Sequence, residues 1–320
     1  MKTLQTLRNI LIFWSILALS PVVADDAPVT SCIREALGCQ KPDIWLISTR
    51  HLSCPRATCE PSRDLRFYRL EGGQWQPSLA QDFYGTSDPA QITCFYIHGN
   101  RIRKDEVFQR GMRVYQRLNR PANTRFVIWS WPSTPIRGRI RDARTKAARA
   151  DGESFYLAHT MGGMSDSSTV SLIGYSFGAR IVTGTLHLLG GGALKGNVLS
   201  EERRPEFRPR AVLLAPAVAR GWLRPEGIHG MATYAVDQIY STYNTKDPAL
   251  KHFYVINKQT KPTALGFSGI SSKSLGPNRD VMHQQNITQW VGWNHTFERH
   301  LDANPLMAKV RRYALWDPTP

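Results

Sequence analysis

In the stretch "VSLIGYSFGARIV", Val170 to Val182, a serine lies between two glycines, after an apolar run and before one with helical spacing. A serine hydroxyl is a poor nucleophile near neutral pH. It attacks only when a base stands within hydrogen-bond reach and a carboxylate orients that base. On a sharp strand-to-helix turn the hydroxyl is aimed outward and the backbone crowds its neighbours, so the positions two before and two after must be small. Gly174 and Gly178 meet that demand around Ser176. Peptide N–H groups at the new helix start then point at the site, where they can bind developing negative charge. The five-residue pattern arises readily by chance in a chain with 24 glycines. Its weight comes from the strand, turn and helix around it, and a small polar residue in an ordinary loop is the plain alternative.

The partners belong after later strands, in the order serine, acid, histidine. Four histidines stand late in the chain: His252, His283, His295 and His300. His283 precedes the predicted last strand, "NITQWVG" (Asn286 to Gly292), and His252 belongs to the helix-like "DPALKHF". His295, in the loop "GWNH" at the carboxyl end of that strand, is the candidate base. His300 is its rival, on a helix that turns it away. His51, His159, His187 and His229 read as surface or core histidines. Asp247, in "NTKDPAL", follows the predicted strand "QIYSTYN" (Gln238 to Asn244), and Pro248 suits the first turn of a helix behind it. It is the candidate acid, ahead of Asp237 and Asp280, although an aspartate opening a helix reads by itself as an N-cap. A second oxyanion donor belongs in the loop after an earlier strand. "FYIHGN" (Phe95 to Asn100) is such a place, which makes the backbone N–H groups of Asn100 and Phe177 the candidates, with Gly99 in the turn and His98 bracing it.

These residues need a scaffold that brings positions 176, 247 and 295 to one edge. Short, continuous apolar runs recur along the chain: Asp43 to Thr49, Leu65 to Leu70, Ile92 to Gly99, Arg125 to Trp131, Ser168 to Gly174 and Ala211 to Pro216, before the two named above. Such runs are expected of strands buried on both faces of a parallel sheet. Helical spacing fills the gaps, over Glu106 to Leu118, Ile140 to Met161 and Phe177 to Leu189, with "GGG" as a stop. One last helix is predicted through "TFERHLDANPLMAKVRRYAL". The alternation calls for an α/β fold: a doubly wound, mostly parallel sheet of about eight strands with helices on both faces. Only about twenty residues separate "AVLLAP" from "QIYSTYN", which leans against a large mobile cap there.

The first 24 residues differ in kind. Lys2 and Arg8 precede "ILIFWSILAL", then Pro21, and small residues end at Ala24. This reads as a signal peptide and implies a secreted or periplasmic protein; a membrane anchor would need about 20 uninterrupted apolar residues. Cys32, Cys39, Cys54 and Cys59 then cluster in an N-terminal extension over 25–90, ahead of a core over 91–320, and two disulfides are their expected use. Three pairings are open. A zinc site lacks the paired C-x-x-C spacing. Cys94, alone inside a strand, reads as a buried thiol, with a cysteine nucleophile as the alternative.

The formal charge is +16, and removal of Lys2 and Arg8 leaves +14 on the mature chain. That excess favours contact with anionic polymers or membranes. Its densest part is "RGRIRDARTKAAR" (Arg137 to Arg149), whose plain reading is a solvated helix face. No specific nucleic-acid motif accompanies it.

Taken together, the blocks Trp45 to Arg50, "HGN" (His98 to Asn100), "WPS" (Trp131 to Ser133), "GYSFGAR" (Gly174 to Arg180), "NTKDPAL" (Asn244 to Leu250) and His295 to Leu306 resemble the α/β-hydrolase superfamily. They look closest to a group of exported bacterial hydrolases. The resemblance implies Ser176, Asp247 and His295 as a triad, no metal or organic cofactor, and a small-molecule or lipid ester as substrate. It does not choose among esterase, lipase, thioesterase and peptidase. A noncatalytic secreted module that binds an anionic polymer or membrane surface is the reading from another class.

Overall fold

The computed structural model describes residues 42–52, 61–86, 88, 90–199 and 204–317. The signal-peptide reading and the four clustered cysteines lie outside the described residues. From residue 41 onward the chain forms one compact unit.

Among the described residues, nine strands make one sheet: β1 (Asp43–Ser48), β2 (Arg66–Glu71), β3 (Gln74–Ser78), β4 (Ile92–Ile97), β5 (Thr124–Ser130), β6 (Val170–Tyr175), β7 (Arg210–Leu214), β8 (Ile239–Tyr243) and β9 (Met282–Asn286). Their order is β3-β2-β1-β5-β4-β6-β7-β8-β9. The pairs β1–β2 and β2–β3 are antiparallel and all others parallel. Every residue of β5 and β6 is buried, which is why these strands read as unbroken apolar runs. The four longest helices are α1 (Glu106–Arg117), α2 (Arg139–Gly162), α3 (Phe177–Leu189) and α4 (Asn304–Ala314).

Two neighbours of β6 show that helices cover both faces. Ser171 Oγ donates to the carbonyl of Ala314, in α4, at 2.7 Å. Gly174 faces the other way: a methyl there would stand 2.6 Å from Ala179 Cα, in α3. Residues 171 and 174 differ in parity, so they lie on opposite faces of a strand. Arg311 of α4 donates to the carbonyl of Arg117, which sets α1 beside α4, while Ser154 of α2 donates to Ile181 of α3. The expected layering is therefore present.

The chain steps from β4 to β5 on one side and then crosses back to β6 on the other. The carboxyl ends of β4 and β6 consequently form a switch point, the place where a crevice opens in such sheets. Gly99 follows β4 and Ser176 follows β6.

Three local expectations are corrected. "NITQWVG" is not a strand: Thr288–Val291 is a helical turn, and the last strand is the preceding "MHQQN". Asn286 Oδ1 accepts from the N–H of Thr288 and turns the chain out of the sheet, and Gly292, at φ 62°, ends the turn. Ile287, Trp290 and Val291 are spaced for a helix, whereas β9 is half exposed and reads as polar. His283 thus lies inside the last strand rather than before it. The edge strand β3, "QWQPS", is likewise too polar to be seen and carries Pro77, which only an edge tolerates. The predicted last helix is two helices, Phe297–Asp302 and α4, broken where Pro305 enters the first turn of α4.

The basic segment is also only partly a solvated face. Arg137, Arg139 and Arg141 are exposed, but Lys146 and Arg149 are buried. Arg149 pairs with Glu153, which is fully buried and also accepts from Thr49 Oγ1 and Trp129 Nε1. Burial raises the Glu153 carboxyl, and these donors oppose the rise. The cluster ties α2 to β1 and β5.

Candidate active site

Ser176 caps α3 at φ 55° and ψ −116°. A side chain in that region costs on the order of 1–3 kcal/mol and persists only when its surroundings impose it. Here they do. The Ser176 N–H donates to Leu214 O at 2.9 Å, and its carbonyl accepts from Ala179 and Ala217 N–H, both at 3.1 Å. The glycines leave space that a side chain would fill. A methyl at Gly178 would collide with the carbonyl of Ile97, and one at Gly99 would lie 3.3 Å from Ser176 Cβ.

Ser176 Oγ lies 3.0 Å from His295 Nε2, and His295 Nδ1 lies 2.6 Å from Asp247 Oδ2. The three side chains, far apart in sequence, therefore form one hydrogen-bonded chain. Asp247 is wholly buried. Its Oδ1 accepts from the N–H groups of Ala249 and Leu250, both at 2.9 Å, with Pro248 behind it at the start of the turn. Asp247 thus caps the turn with Oδ1 and faces His295 Nδ1 with Oδ2. His295 is fixed in turn: its carbonyl accepts from Tyr175 Oη, and the rings of Tyr175 and His295 lie 5.6 Å apart.

Asn100 borders the same cleft as Ser176, Phe177 and His295. Its side chain donates to Asp142 Oδ2 at 2.9 Å, and Asp142, itself buried, also accepts from Arg101 and from the Ile136 N–H. The loop after β4 is thus clamped to the first turn of α2. His98 braces it from below, as expected: the ring stacks on Trp131, and Trp131 Nε1 donates to the His98 carbonyl at 2.7 Å. Burial lowers the His98 imidazole to about 3, so it stays neutral. Arg50 holds the same corner, donating to Ser130 Oγ and the Ile102 carbonyl.

The other histidines fall into place. His300 is buried with Nδ1 donating to the Thr296 carbonyl, and its ring touches Tyr175 rather than the serine. His283 is exposed at the sheet edge. His252, set aside on sequence grounds, lines the cleft. With Leu250, Phe253, Val255 and Ile256 it belongs to the segment between β8 and β9, which forms a wall of the cleft that the sequence pattern did not reveal. Residues 215–238, by contrast, contain only two short 3₁₀ turns. The cleft has a volume of about 390 Å³. Asp237 lies away from it, paired with Arg210 at 2.7 Å. Cys94 is buried inside β4, and burial pushes its thiol up to about 12.

The sheet order, the serine turn after the central strand and the crevice at the switch point define an α/β-hydrolase fold. No protein-family model matches the chain, and no curated protein is similar to it. Among solved structures it is similar to a protein provisionally named a cell surface hydrolase, from Lactobacillus plantarum WCFS1, at 12% identity and a TM-score of 0.42, over 73% of this chain and 95% of that one. It is also similar to a lipase-esterase related protein from Clostridium acetobutylicum ATCC 824, at 10% identity and a TM-score of 0.36, over 71% and 96%. At these scores neither protein's function transfers to this chain.

Proposed function

We propose that this chain is an exported serine hydrolase that cleaves carboxylic esters through an acyl-enzyme on Ser176. The observation that carries the reading is the hydrogen-bonded chain from Ser176 Oγ through His295 to Asp247, with distances of 3.0 and 2.6 Å. As Oγ attacks the ester carbonyl carbon, its proton passes to His295 Nε2. Asp247 Oδ2 holds the Nδ1–H and stabilises the imidazolium. The N–H groups of Phe177 and Asn100 receive the oxyanion. Collapse breaks the bond to the alkoxy group, which leaves with the proton from His295. Water then attacks the acyl carbon, His295 takes its proton, and that proton returns to Ser176 as the acid departs. These steps need no metal or organic cofactor.

The cleft walls are apolar at Ala217, Leu250, Phe253 and Phe297, and its volume of about 390 Å³ favours acyl groups of short or medium length. A panel of chromogenic esters of rising acyl length tests the reading. The expected result is turnover that peaks below about eight carbons and vanishes in Ser176→Ala. A folded wild-type protein that turns over no member of the panel contradicts it, and favours the noncatalytic module that binds anionic surfaces.

A further inference from the structure

Beside the catalytic cleft lies a larger concavity of about 930 Å³. Its charged lining consists of Arg144, Arg180, Lys195 and Arg220 against one carboxylate, Asp151. That carboxylate is engaged: Oδ1 accepts from Arg180 Nε at 2.9 Å and Oδ2 from Arg180 Nη2 at 3.1 Å. Arg180 is 4% exposed, its guanidinium lies 4.4 Å from the centre of the Trp222 ring, and its Nη1 has no hydrogen-bond partner among the described residues. Arg144 Nε donates to the Val255 carbonyl at 2.8 Å, while its Nη2 is buried and equally without a partner. Neither Arg144 nor Arg220 forms an ion pair among the described residues. Trp222, Ile228, Phe253 and Ile256 supply an apolar part of the wall, and His187, Asn257, Thr260 and Thr263 complete it with polar groups.

The N–H groups of Arg144 Nη2 and Arg180 Nη1 that lack a partner call for an oxyanion, because charge-assisted hydrogen bonds to carboxylate or phosphate are the strongest such donors make. A bare, hydrated anion would leave the apolar walls without contact. An uncharged apolar ligand would leave the guanidinium groups unmatched. We propose that this groove is a second binding site, for an amphiphile with an oxyanion head on an apolar chain, the head held by Arg180, Arg144 and Arg220. Phe253 and Ile256 line both the groove and the cleft of Ser176, so the bound chain lies against the wall that the two share. The site does not depend on hydrolysis.

Isothermal titration of the full chain with hexyl phosphate, hexanoate, hexanol and inorganic phosphate tests it. Hexyl phosphate is expected to bind at least about tenfold more tightly than hexanol or inorganic phosphate, since only it uses both the cations and the apolar walls. The ratio of hexanoate to hexyl phosphate affinity distinguishes a carboxylate head from a phosphate head. Arg220→Gln, at an exposed position, and Arg144→Gln, checked for an unchanged thermal midpoint because it also loses the bond to the Val255 carbonyl, should each weaken hexyl phosphate by about three- to tenfold. Arg110→Gln, in the catalytic cleft, should leave it unchanged. Equal affinity for hexyl phosphate and hexanol overturns the proposal, as does wild-type affinity in both groove variants or a loss confined to Arg110→Gln.

Discussion

Asn244 Nδ2 donates to the carbonyl of Gly292 at 2.8 Å, and this bond fastens the end of β8, which leads to Asp247, onto the loop that carries His295. The same amide reaches the Asn294 carbonyl, and Asn244 Oδ1 accepts from the Lys246 N–H at 3.0 Å. Asn244 is 1% exposed. It touches none of the reacting atoms yet sets the distance between the acid and the base. Asn244→Ala is expected to lower kcat about 10- to 100-fold with little change in KM, because small displacements of an oriented base are costly. It should also lower stability by about 1–3 kcal/mol through the orphaned carbonyls. Steady-state kinetics beside urea denaturation separate the two effects, and an unchanged kcat contradicts the positioning role.

Asp247 offers a cleaner separation of structure from chemistry. Asp247→Asn keeps an Oδ1 acceptor for the N–H groups of Ala249 and Leu250, so the turn survives. The amide in place of Oδ2 now presents a donor to His295 and selects the wrong tautomer. The expected loss in kcat is roughly 10³- to 10⁴-fold, with the thermal midpoint within a few degrees of wild type. A loss below about tenfold would show that the carboxylate does not orient the base.

Much of this site was legible because its residues obey strict local geometry. Ser176, Gly174 and Gly178 follow from what a strained turn demands, and Asp247 from its place after β8. His295 does stand beside Ser176, but not by the route the sequence suggests. The strand assigned before it is a helical turn, and the true strand, "MHQQN", hides at a half-exposed edge where no apolar run is required. The wall built by Leu250 to Ile256 was not legible at all. Those residues carry no period that points at the cleft, and tertiary packing, including the bond from Arg144 to the Val255 carbonyl, brings them to α2. Asp142 likewise reads as one acid among basic residues, and its clamp on Asn100 is purely tertiary.

Stability should respond to acid through buried imidazoles. Burial lowers His98 to about 3 and His300 to about 4, from 6.5. The unfolded chain therefore binds these protons below about pH 6.5 while the folded chain refuses them, and stability falls as pH drops from 6.5 toward 4, by up to about 1.4 kcal/mol per pH unit for each histidine. His300→Gln should remove one histidine's share of that slope. Urea midpoints between pH 4.5 and 7.5 give the comparison, and parallel curves for the two proteins would exclude His300 as a source.

Cys94 is expected to take no part in the chemistry. It is fully buried within β4, with its thiol held at about 12, so the thiolate is scarce at neutral pH. Cys94→Ser should retain ester turnover within about threefold, and the native protein should resist maleimide until denatured. Loss of turnover in a folded Cys94→Ser protein would revive a cysteine mechanism.

The most direct test of the central claim is covalent labelling by a fluorophosphonate, read by peptide mass spectrometry. Modification is expected at Ser176 alone, absent in Ser176→Ala and slowed at least about 10²-fold in His295→Ala, since only a hydroxyl with a base at hydrogen-bond distance reacts at neutral pH. Folded wild-type protein that stays unlabelled, or that labels equally fast without His295, would contradict the account.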